Sequence, residues 1–117
     1  MRKFFHLGTC STCQRIIKEL ELSGVELQDI KKTAITVEQV EEMGQLAGGF
    51  EKLFSRKAMK YRSLGLQEMV LHEADYKKYI LLEYTFLSRP VLVFDDQIFV
   101  GNSKKNVMDM KVFLSKR

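Results

Sequence analysis

The chain has 117 residues, of which 45% are hydrophobic and 29% charged, a balance typical of one folded globular domain and not of a disordered or multidomain protein. Its net charge of +4 comes from interspersed basic and acidic residues, which favours an anionic ligand but not a dedicated nucleic-acid-binding protein. No apolar run approaches the roughly eighteen residues of a membrane span, and the N-terminal apolar segment is too short for a signal peptide. We therefore expect a cytoplasmic monomer that contacts neither membrane nor nucleic acid directly.

The first part of the chain predicts a β-α-β unit. Residues 2–7 are apolar and rich in aromatic side chains, which is typical of a buried strand. An apolar stripe at helical spacing follows, with Ser11 or Thr12 as candidate caps at its start and Gly24 as the residue predicted to end the helix. Residues 25–30 alternate apolar and polar side chains, which predicts a strand with one buried face.

The middle of the chain is predicted to be helical. Thr36 followed by Gln39 fits a capping box and predicts the start of a helix, which the glycines at 48–49 end. Residues 50–64, and then residues from 75 to about 84, predict two further helical stretches.

The last part of the chain predicts a β-hairpin and a helix. Pro90 precedes an apolar strand at 91–94, residues 95–97 turn the chain, and residues 98–100 form the second strand. Residues 101–103 then close the hairpin and start a terminal helix.

The order of elements is β-α-β, a helical block and β-β-α. A parallel β-α-β unit joined to an antiparallel hairpin and a last helix predicts a thioredoxin-like α/β fold with a four-stranded mixed sheet. We expect one domain over residues 1–117, with a helical insertion at about 36–85.

The strongest chemical signal is the sequence Cys10-Ser11-Thr12-Cys13, between a predicted strand and the first turn of a predicted helix. Unpaired amides and the positive end of the helix dipole favour a thiolate at that place, and they lower the pKa of Cys10 below the value of about 8.5 for a free cysteine. Cys13 follows one helical turn later, within the Cα separation that a disulfide tolerates. The pair predicts a nucleophile at Cys10 and, at Cys13, a resolving thiol that attacks a mixed disulfide on Cys10.

Two other interpretations of the cysteines stay open. Both could fill space in the core, or they could belong to a metal site completed by another chain. Two cysteines with no second pair and no histidine cluster are too few for a disulfide scaffold or a tetrahedral zinc site. We therefore expect no metal and no bound cofactor.

Several segments, in order and over nearly the whole chain, resemble the arsenate reductase (ArsC) and Spx family. They are residues 5–13 (Phe-His-Leu-Gly-Thr-Cys-Ser-Thr-Cys), 53–57 (Leu-Phe-Ser-Arg-Lys), 61–66, 88–91 (Ser-Arg-Pro-Val) and 100–101 (Val-Gly). The family has a thioredoxin-like fold with a helical insertion between its two halves, so the resemblance implies the layout that the pattern predicts.

The resemblance also implies roles for single residues. In the glutaredoxin-dependent arsenate reductases, a cysteine at a helix N-terminus attacks arsenate, arginines hold the oxyanion, and glutathione with glutaredoxin restores the reduced enzyme. Cys10 matches that cysteine, while Arg56 and Arg89 match two of the arginines. The resemblance implies a cis peptide bond at Pro90. It also implies that His6 either tunes the thiolate or completes the end of a strand.

Two features depart from the arsenate reductase pattern. Such enzymes use a third arginine on the strand after the proline, and residues 99–102 contain none. The second cysteine, Cys13, instead resembles Spx, a redox-sensing transcription regulator that binds the C-terminal domain of the RNA polymerase α-subunit. Arg56 and Arg89 also have a simpler interpretation, as surface residues that pair with nearby acids.

We therefore expect a thiol-dependent oxidoreductase resembling glutaredoxin-coupled arsenate reductase. Its substrate would be a small oxyanion or a glutathione mixed disulfide, and its reductant glutathione with glutaredoxin, or thioredoxin. The alternatives are an Spx-like regulator, in which a Cys10–Cys13 disulfide switches binding to RNA polymerase, and a family member that has lost the reaction. The supporting residues of the expected site are His6, Thr12 and Pro90.

Overall fold

The computed structural model describes residues 1–117 and contains four β-strands and five α-helices. The strands are β1 (Arg2–His6), β2 (Glu26–Asp29), β3 (Val91–Phe94) and β4 (Gln97–Val100). The helices are α1 (Ser11–Glu19), α2 (Val37–Ala47), α3 (Met59–Ser63), α4 (Glu73–Leu82) and α5 (Lys104–Lys116). Short 3-10 helices lie at Glu51–Leu53, Leu66–Glu68 and Tyr84–Phe86. None of the helices has the length and apolar character that crossing a bilayer requires.

The chain forms two compact units. The first consists of Met1–Ala34 and Arg89–Arg117 and contains the whole sheet with α1 and α5. The second consists of Ile35–Ser88 and contains α2, α3 and α4. The helical insertion expected at about 36–85 falls within this second unit, and the single domain stays a prediction.

The four strands form one mixed sheet in the order β2-β1-β3-β4. Strand β1 pairs in parallel with β2 and antiparallel with β3, and β3 pairs antiparallel with β4. The crossover through α1 makes the parallel pair possible, because parallel neighbours cannot be joined by a tight turn. The sheet confirms the predicted β-α-β unit and hairpin. It also brings the end of β1 beside the start of β3.

Helices α1 and α5 supply apolar side chains to the core of the first unit. Ile16 is buried on α1 and Leu20 is buried at the C-cap of that helix, while Met110 and Leu114 lie four residues apart on one face of α5. Together with three residues of the sheet they form one buried cluster: Phe4, Ile16, Leu20, Leu92, Phe94, Met110 and Leu114. This packing fixes α1, and with it the cysteine pair, against the central strand.

Strand β2 buries a different residue from the one that its alternation indicates. Leu27 is 46% exposed, whereas Gln28 is only 5% exposed. Gln28 pairs in register with the fully buried Phe5. The side-chain Oε1 of Gln28 accepts from Lys3 Nζ at 3.2 Å, and its Nε2 donates to the Thr33 carbonyl at 3.1 Å. These hydrogen bonds offset the cost of burying the amide, so an edge strand holds a polar residue inside and an apolar one outside.

Tight turns shift two predicted boundaries. Helix α1 ends at Glu19 and not at Gly24, whose φ of 77° places it in a turn closed by a 2.9 Å hydrogen bond from the Val25 amide to the Leu22 carbonyl. In the hairpin, Phe94 pairs with Gln97. The turn there is two residues long, and the second strand begins one residue earlier than predicted.

The start and end of α2 confirm the sequence prediction. The Thr36 hydroxyl accepts from the Gln39 amide at 3.1 Å, and the Gln39 side chain accepts from the Thr36 amide at 3.1 Å, so the capping box is complete. Gly48 ends the helix with φ of 83°, a left-handed conformation that glycine adopts without strain.

The predicted helix over residues 50–64 is wrong, because a distant segment competes for its backbone hydrogen bonds. The Ser55 amide donates to the Phe86 carbonyl at 2.7 Å, and the Ser88 amide donates to the Leu53 carbonyl at 2.8 Å. Phe54 is accordingly extended and bridges to Leu87. The segment therefore divides into a short 3-10 helix and the separate helix α3.

Candidate active site

Cys10 lies where the turn after β1 meets α1. Its backbone is extended, with φ of −90° and ψ of 112°, and its sulfur accepts a hydrogen bond from the Cys13 amide at 3.5 Å. Cys10 is therefore itself the N-cap, which corrects the prediction that Ser11 or Thr12 caps the helix. The sulfur takes the place of a capping oxygen, where the first amides of the helix are directed at it.

The surroundings of Cys10 favour its thiolate. Burial raises the pKa of this half-buried thiol, but hydrogen bonds from the Cys13 amide, the Cys13 thiol and the Thr12 amide lower it, as does the positive charge of Arg89. The lowering effects prevail, so the pKa of Cys10 lies below that of an ordinary thiol. Thr12 thus supports the site through its backbone amide.

Cys13 is fully buried in the first turn of α1. Burial, together with the hydrogen bond and negative charge of Cys10, raises its pKa to about 11, against lowering contributions from the Leu7 amide and Arg89. The proton of the pair therefore stays on Cys13 while Cys10 ionises. Two thiols one helical turn apart have opposite pKa shifts, as a nucleophile and a resolving thiol require.

Arg89 and Pro90 lie at the entrance to β3, beside the cysteines. The peptide bond between them is cis, as the resemblance implied. The Pro90 carbonyl accepts from the Gly101 amide at 2.8 Å, which fixes this segment to the end of β4. Arg89 is half-buried, and its charge lowers the pKa of both cysteines, so the structure brings Arg89 together with the predicted thiol pair.

Replacing Arg89 with glutamine is expected to slow the alkylation of Cys10 at pH 7 by about 2- to 5-fold, because loss of the positive charge raises the pKa of Cys10. The measurement is the iodoacetamide rate against pH in a Cys13→Ser background, where the midpoint should move upward. Lys116→Gln removes a charge at the far end of α5 and serves as the matched control. An unchanged midpoint in Arg89→Gln would contradict this electrostatic role.

The turn from Leu7 to Cys10 is held by two side chains that sequence analysis did not single out. Gln14 Nε2 donates to the Leu7 carbonyl at 3.0 Å, and Asp29 Oδ2 accepts from the Gly8 amide at 3.0 Å. Burial raises the pKa of Asp29, but amide hydrogen bonds, the first from Lys31, lower it below its ordinary value, so the carboxylate is ionised at neutral pH.

The position of Asp29 also explains the glycine at position 8. A Cβ atom on Gly8 would lie 2.5 Å from Asp29 Oδ2, so any other residue would displace the carboxylate. The pairing register of β1 with β2 is the signal that could have indicated this contact. Asp29 ends β2 opposite His6 at the end of β1, and adjacent parallel strands bring their carboxyl ends to the same edge of a sheet.

His6 is only 8% exposed and lies at the end of β1. Its Nδ1 lies 3.4 Å from Gln14 Nε2, and its ring lies 6.3 Å from the ring of Phe4. These contacts place His6 among the residues that support the turn. A role in tuning the Cys10 thiolate stays a prediction.

Arg56 belongs to the second unit, where its guanidinium has local partners. Its Nη2 atom donates to Glu51 Oε2 at 2.8 Å and to the Tyr76 hydroxyl at 2.9 Å, and its Cζ lies 5.7 Å from the centroid of the Tyr76 ring. The side chain is 47% exposed. The structure thus shows the ion pair of the simpler interpretation, and the role of Arg56 in holding an oxyanion stays a prediction.

The chemistry available to the site is that of two thiols and one guanidinium. No three or more His, Cys, Asp or Glu side chains are grouped so that they could hold a metal ion. The cysteines can exchange disulfides and form one with each other, and the arginine can attract an anion to them.

Comparisons with known proteins find a relative in sequence and similar solved structures. The chain is 27% identical over 103 residues to the uncharacterized protein YusI of Bacillus subtilis (strain 168), an alignment that covers 84% of this chain and 87% of YusI. An ArsC-family related protein from Bacteroides fragilis is similar in structure with a TM-score of 0.76 and 23% identity, covering 94% of this chain and 97% of that chain. The arsenate reductase from Vibrio cholerae gives a TM-score of 0.77 and 19% identity, covering 93% and 96%.

At these identities the two solved structures show the shared fold, which confirms the predicted thioredoxin-like α/β architecture. The model of the ArsC family matches residues 5–110, a span that includes the cysteine pair, the cis proline and both predicted arginines. The chain therefore belongs to the ArsC family.

Proposed function

We propose that this ArsC-family chain is a thiol-dependent oxidoreductase in which Cys10 is the nucleophile and Cys13 the resolving thiol. The observation that carries the proposal is the asymmetry of the pair. Cys10 is half-buried with a lowered pKa, whereas Cys13 is fully buried with a pKa raised to about 11. Only Cys10 thus both ionises more readily than an ordinary thiol and is accessible to a substrate.

The reaction with a disulfide proceeds in two exchanges. The Cys10 thiolate attacks one sulfur of the substrate, forms a mixed disulfide and expels the other sulfur as a thiolate. Cys13 then gives up its proton to solvent, attacks the Cys10 sulfur and expels the second thiolate. The substrate gains two electrons, and the chain loses two in the Cys10–Cys13 disulfide. Glutathione, directly or through glutaredoxin, or thioredoxin then reduces that disulfide.

The substrate that we favour is a glutathione mixed disulfide. In the arsenate reductases of the family, several arginines hold arsenate. In this chain, residues 99–102 contain no arginine, and the Arg56 guanidinium is bound to Glu51. Arg89 is the guanidinium whose charge acts on the sulfurs. One arginine beside a thiol of lowered pKa suits a substrate that carries its own reactive sulfur, and arsenate is the second candidate.

The test is NADPH consumption in two coupled assays. One contains a glutathione mixed disulfide, glutathione and glutathione reductase, without glutaredoxin because glutaredoxin reduces such disulfides itself. The other contains arsenate with glutathione, glutaredoxin and glutathione reductase. We expect turnover in the first assay that is lost in Cys10→Ser. Turnover no greater than that of Cys10→Ser in both assays would contradict an enzymatic role.

The alternative is an Spx-like regulator whose Cys10–Cys13 disulfide switches binding to the C-terminal domain of the RNA polymerase α-subunit. It is favoured by the second cysteine together with the missing arginine in residues 99–102. Binding of the purified domain to the reduced and oxidised chain tests it directly. Absence of binding in both redox states would remove this alternative.

A further inference from the structure

The side chain of Gln14 connects α1 to the turn that carries Cys10. Its Nε2 atom donates to the Leu7 carbonyl at 3.0 Å and lies 3.4 Å from His6 Nδ1, so each amide hydrogen has an acceptor when the histidine proton is on Nε2. The same Leu7 carbonyl accepts the Cys10 amide at 3.1 Å and closes the turn. Gln14 thus binds the same carbonyl oxygen that closes the turn.

The two sulfurs belong to different segments of the backbone. Cys13 lies within α1, whereas Cys10 precedes the helix and takes its position from the turn. A disulfide forms only within a narrow range of Cα separations and side-chain directions, and the rate of an exchange between two held groups depends on their alignment. The placement of the turn against α1 therefore bears directly on closure of the Cys10–Cys13 disulfide.

We propose that Gln14 is a positioning residue that fixes the turn against α1 and so sets the rate and equilibrium of Cys10–Cys13 disulfide closure. The proposal rests on the proposed function, since it concerns the resolving step of that reaction. Asp29 secures the same turn from the β2 side through the Gly8 amide, so Gln14 is the anchor on the helix side.

The first exchange should depend on Gln14 much less than closure does. The groups that favour the Cys10 thiolate are the amides of Thr12 and Cys13, the Cys13 thiol and the charge of Arg89, and none of them is on the Gln14 side chain. A change at Gln14 should therefore separate the two steps, slowing closure and leaving the initial attack intact.

The experiment follows the reaction of the reduced chain with dithiobis-nitrobenzoate by stopped flow. The first thionitrobenzoate released reports attack by Cys10, and the second reports closure by Cys13. Gln14→Met keeps the length of the side chain without its N–H groups, and Gln14→Ala removes the side chain. Arg15→Ala is the control, since Arg15 is the exposed neighbour on α1.

In both Gln14 variants we expect a first release within about 2-fold of the wild-type rate and a second release slowed by about 3- to 10-fold, the size that one hydrogen bond between neutral groups carries. The equilibrium of the dithiol against glutathione disulfide should shift toward the dithiol by a similar factor. A purely structural role would lower the melting temperature without separating the two steps.

Closure at the wild-type rate in Gln14→Met, or equal slowing of both releases, would overturn the proposal for Gln14. A wild-type chain that releases only one thionitrobenzoate would instead contradict the resolving role of Cys13. The two failures are therefore distinguishable.

Discussion

Replacing Cys10 with serine is expected to lower the rate of disulfide reduction by about 1000-fold or more, because a hydroxyl provides no comparable nucleophile at neutral pH. Cys13 cannot take over the attack, since it is fully buried and burial, the largest cause of its raised pKa, remains in this variant. The measurement is thionitrobenzoate release by each variant under pseudo-first-order conditions. Retention of more than a few per cent of the wild-type rate in Cys10→Ser would show that Cys13 is itself a competent nucleophile.

The Cys13→Ser variant tests the role of Cys13 as the resolving thiol. Cys13→Ser should release one thionitrobenzoate at close to the wild-type first rate and then stop, and mass spectrometry should find the mixed disulfide on Cys10. Ser11→Ala changes an exposed residue inside the motif and is the matched control, expected to release both equivalents. A Cys13→Ser chain that releases two equivalents would contradict the resolving role.

Replacing Phe4 with alanine is expected to lower the free energy of unfolding by about 3–5 kcal/mol. Phe4 is fully buried on β1 in the cluster that includes Ile16 and Met110, and its removal leaves a cavity between the sheet and two helices. Equilibrium unfolding in urea measures the change. Val112→Ala on α5, at a residue that is 41% exposed, should change the free energy by no more than about 0.5 kcal/mol.

A second substitution separates cavity formation from loss of the strand. Phe4→Leu keeps most of the buried volume, so its cost should be well below that of Phe4→Ala. If Phe4→Ala instead loses less than about 1 kcal/mol, α1 and α5 do not depend on this side chain for their packing on the sheet.

The elements that sequence analysis predicted well are those whose signals are local. The capping box at Thr36 and Gln39 and the left-handed Gly48 act within a few residues of the helix ends that they determine. The break in residues 50–64 could not be predicted in this way. Its cause is hydrogen bonding of Leu53 and Ser55 to a segment thirty and more positions further along the chain.

In the candidate site, too, local signals allowed prediction and contacts between distant segments did not. The C-x-x-C spacing and its strand-to-helix setting predicted that Cys10 and Cys13 lie where a strand meets the first turn of a helix, and the structure has them there. Serine and threonine are preferred N-caps, so propensity pointed to Ser11 or Thr12, but the Gln14 amide donates to the Cys10 carbonyl at 3.1 Å and makes Cys10 the N-cap. Gln14 and Asp29 act through backbone atoms of the turn, and their roles become visible only when the register is known.

The mutual influence of the two thiols has a consequence for what can remain attached to the chain. The hydrogen bond and charge of Cys10 help to hold the proton on Cys13, so any group that blocks the Cys10 sulfur also makes Cys13 more acidic. When an adduct is joined to Cys10 through a disulfide bond, Cys13 therefore ionises more readily, and its thiolate displaces the adduct. Only bonds that a thiolate does not break, such as the thioether left by an alkylating agent, are expected to persist on Cys10.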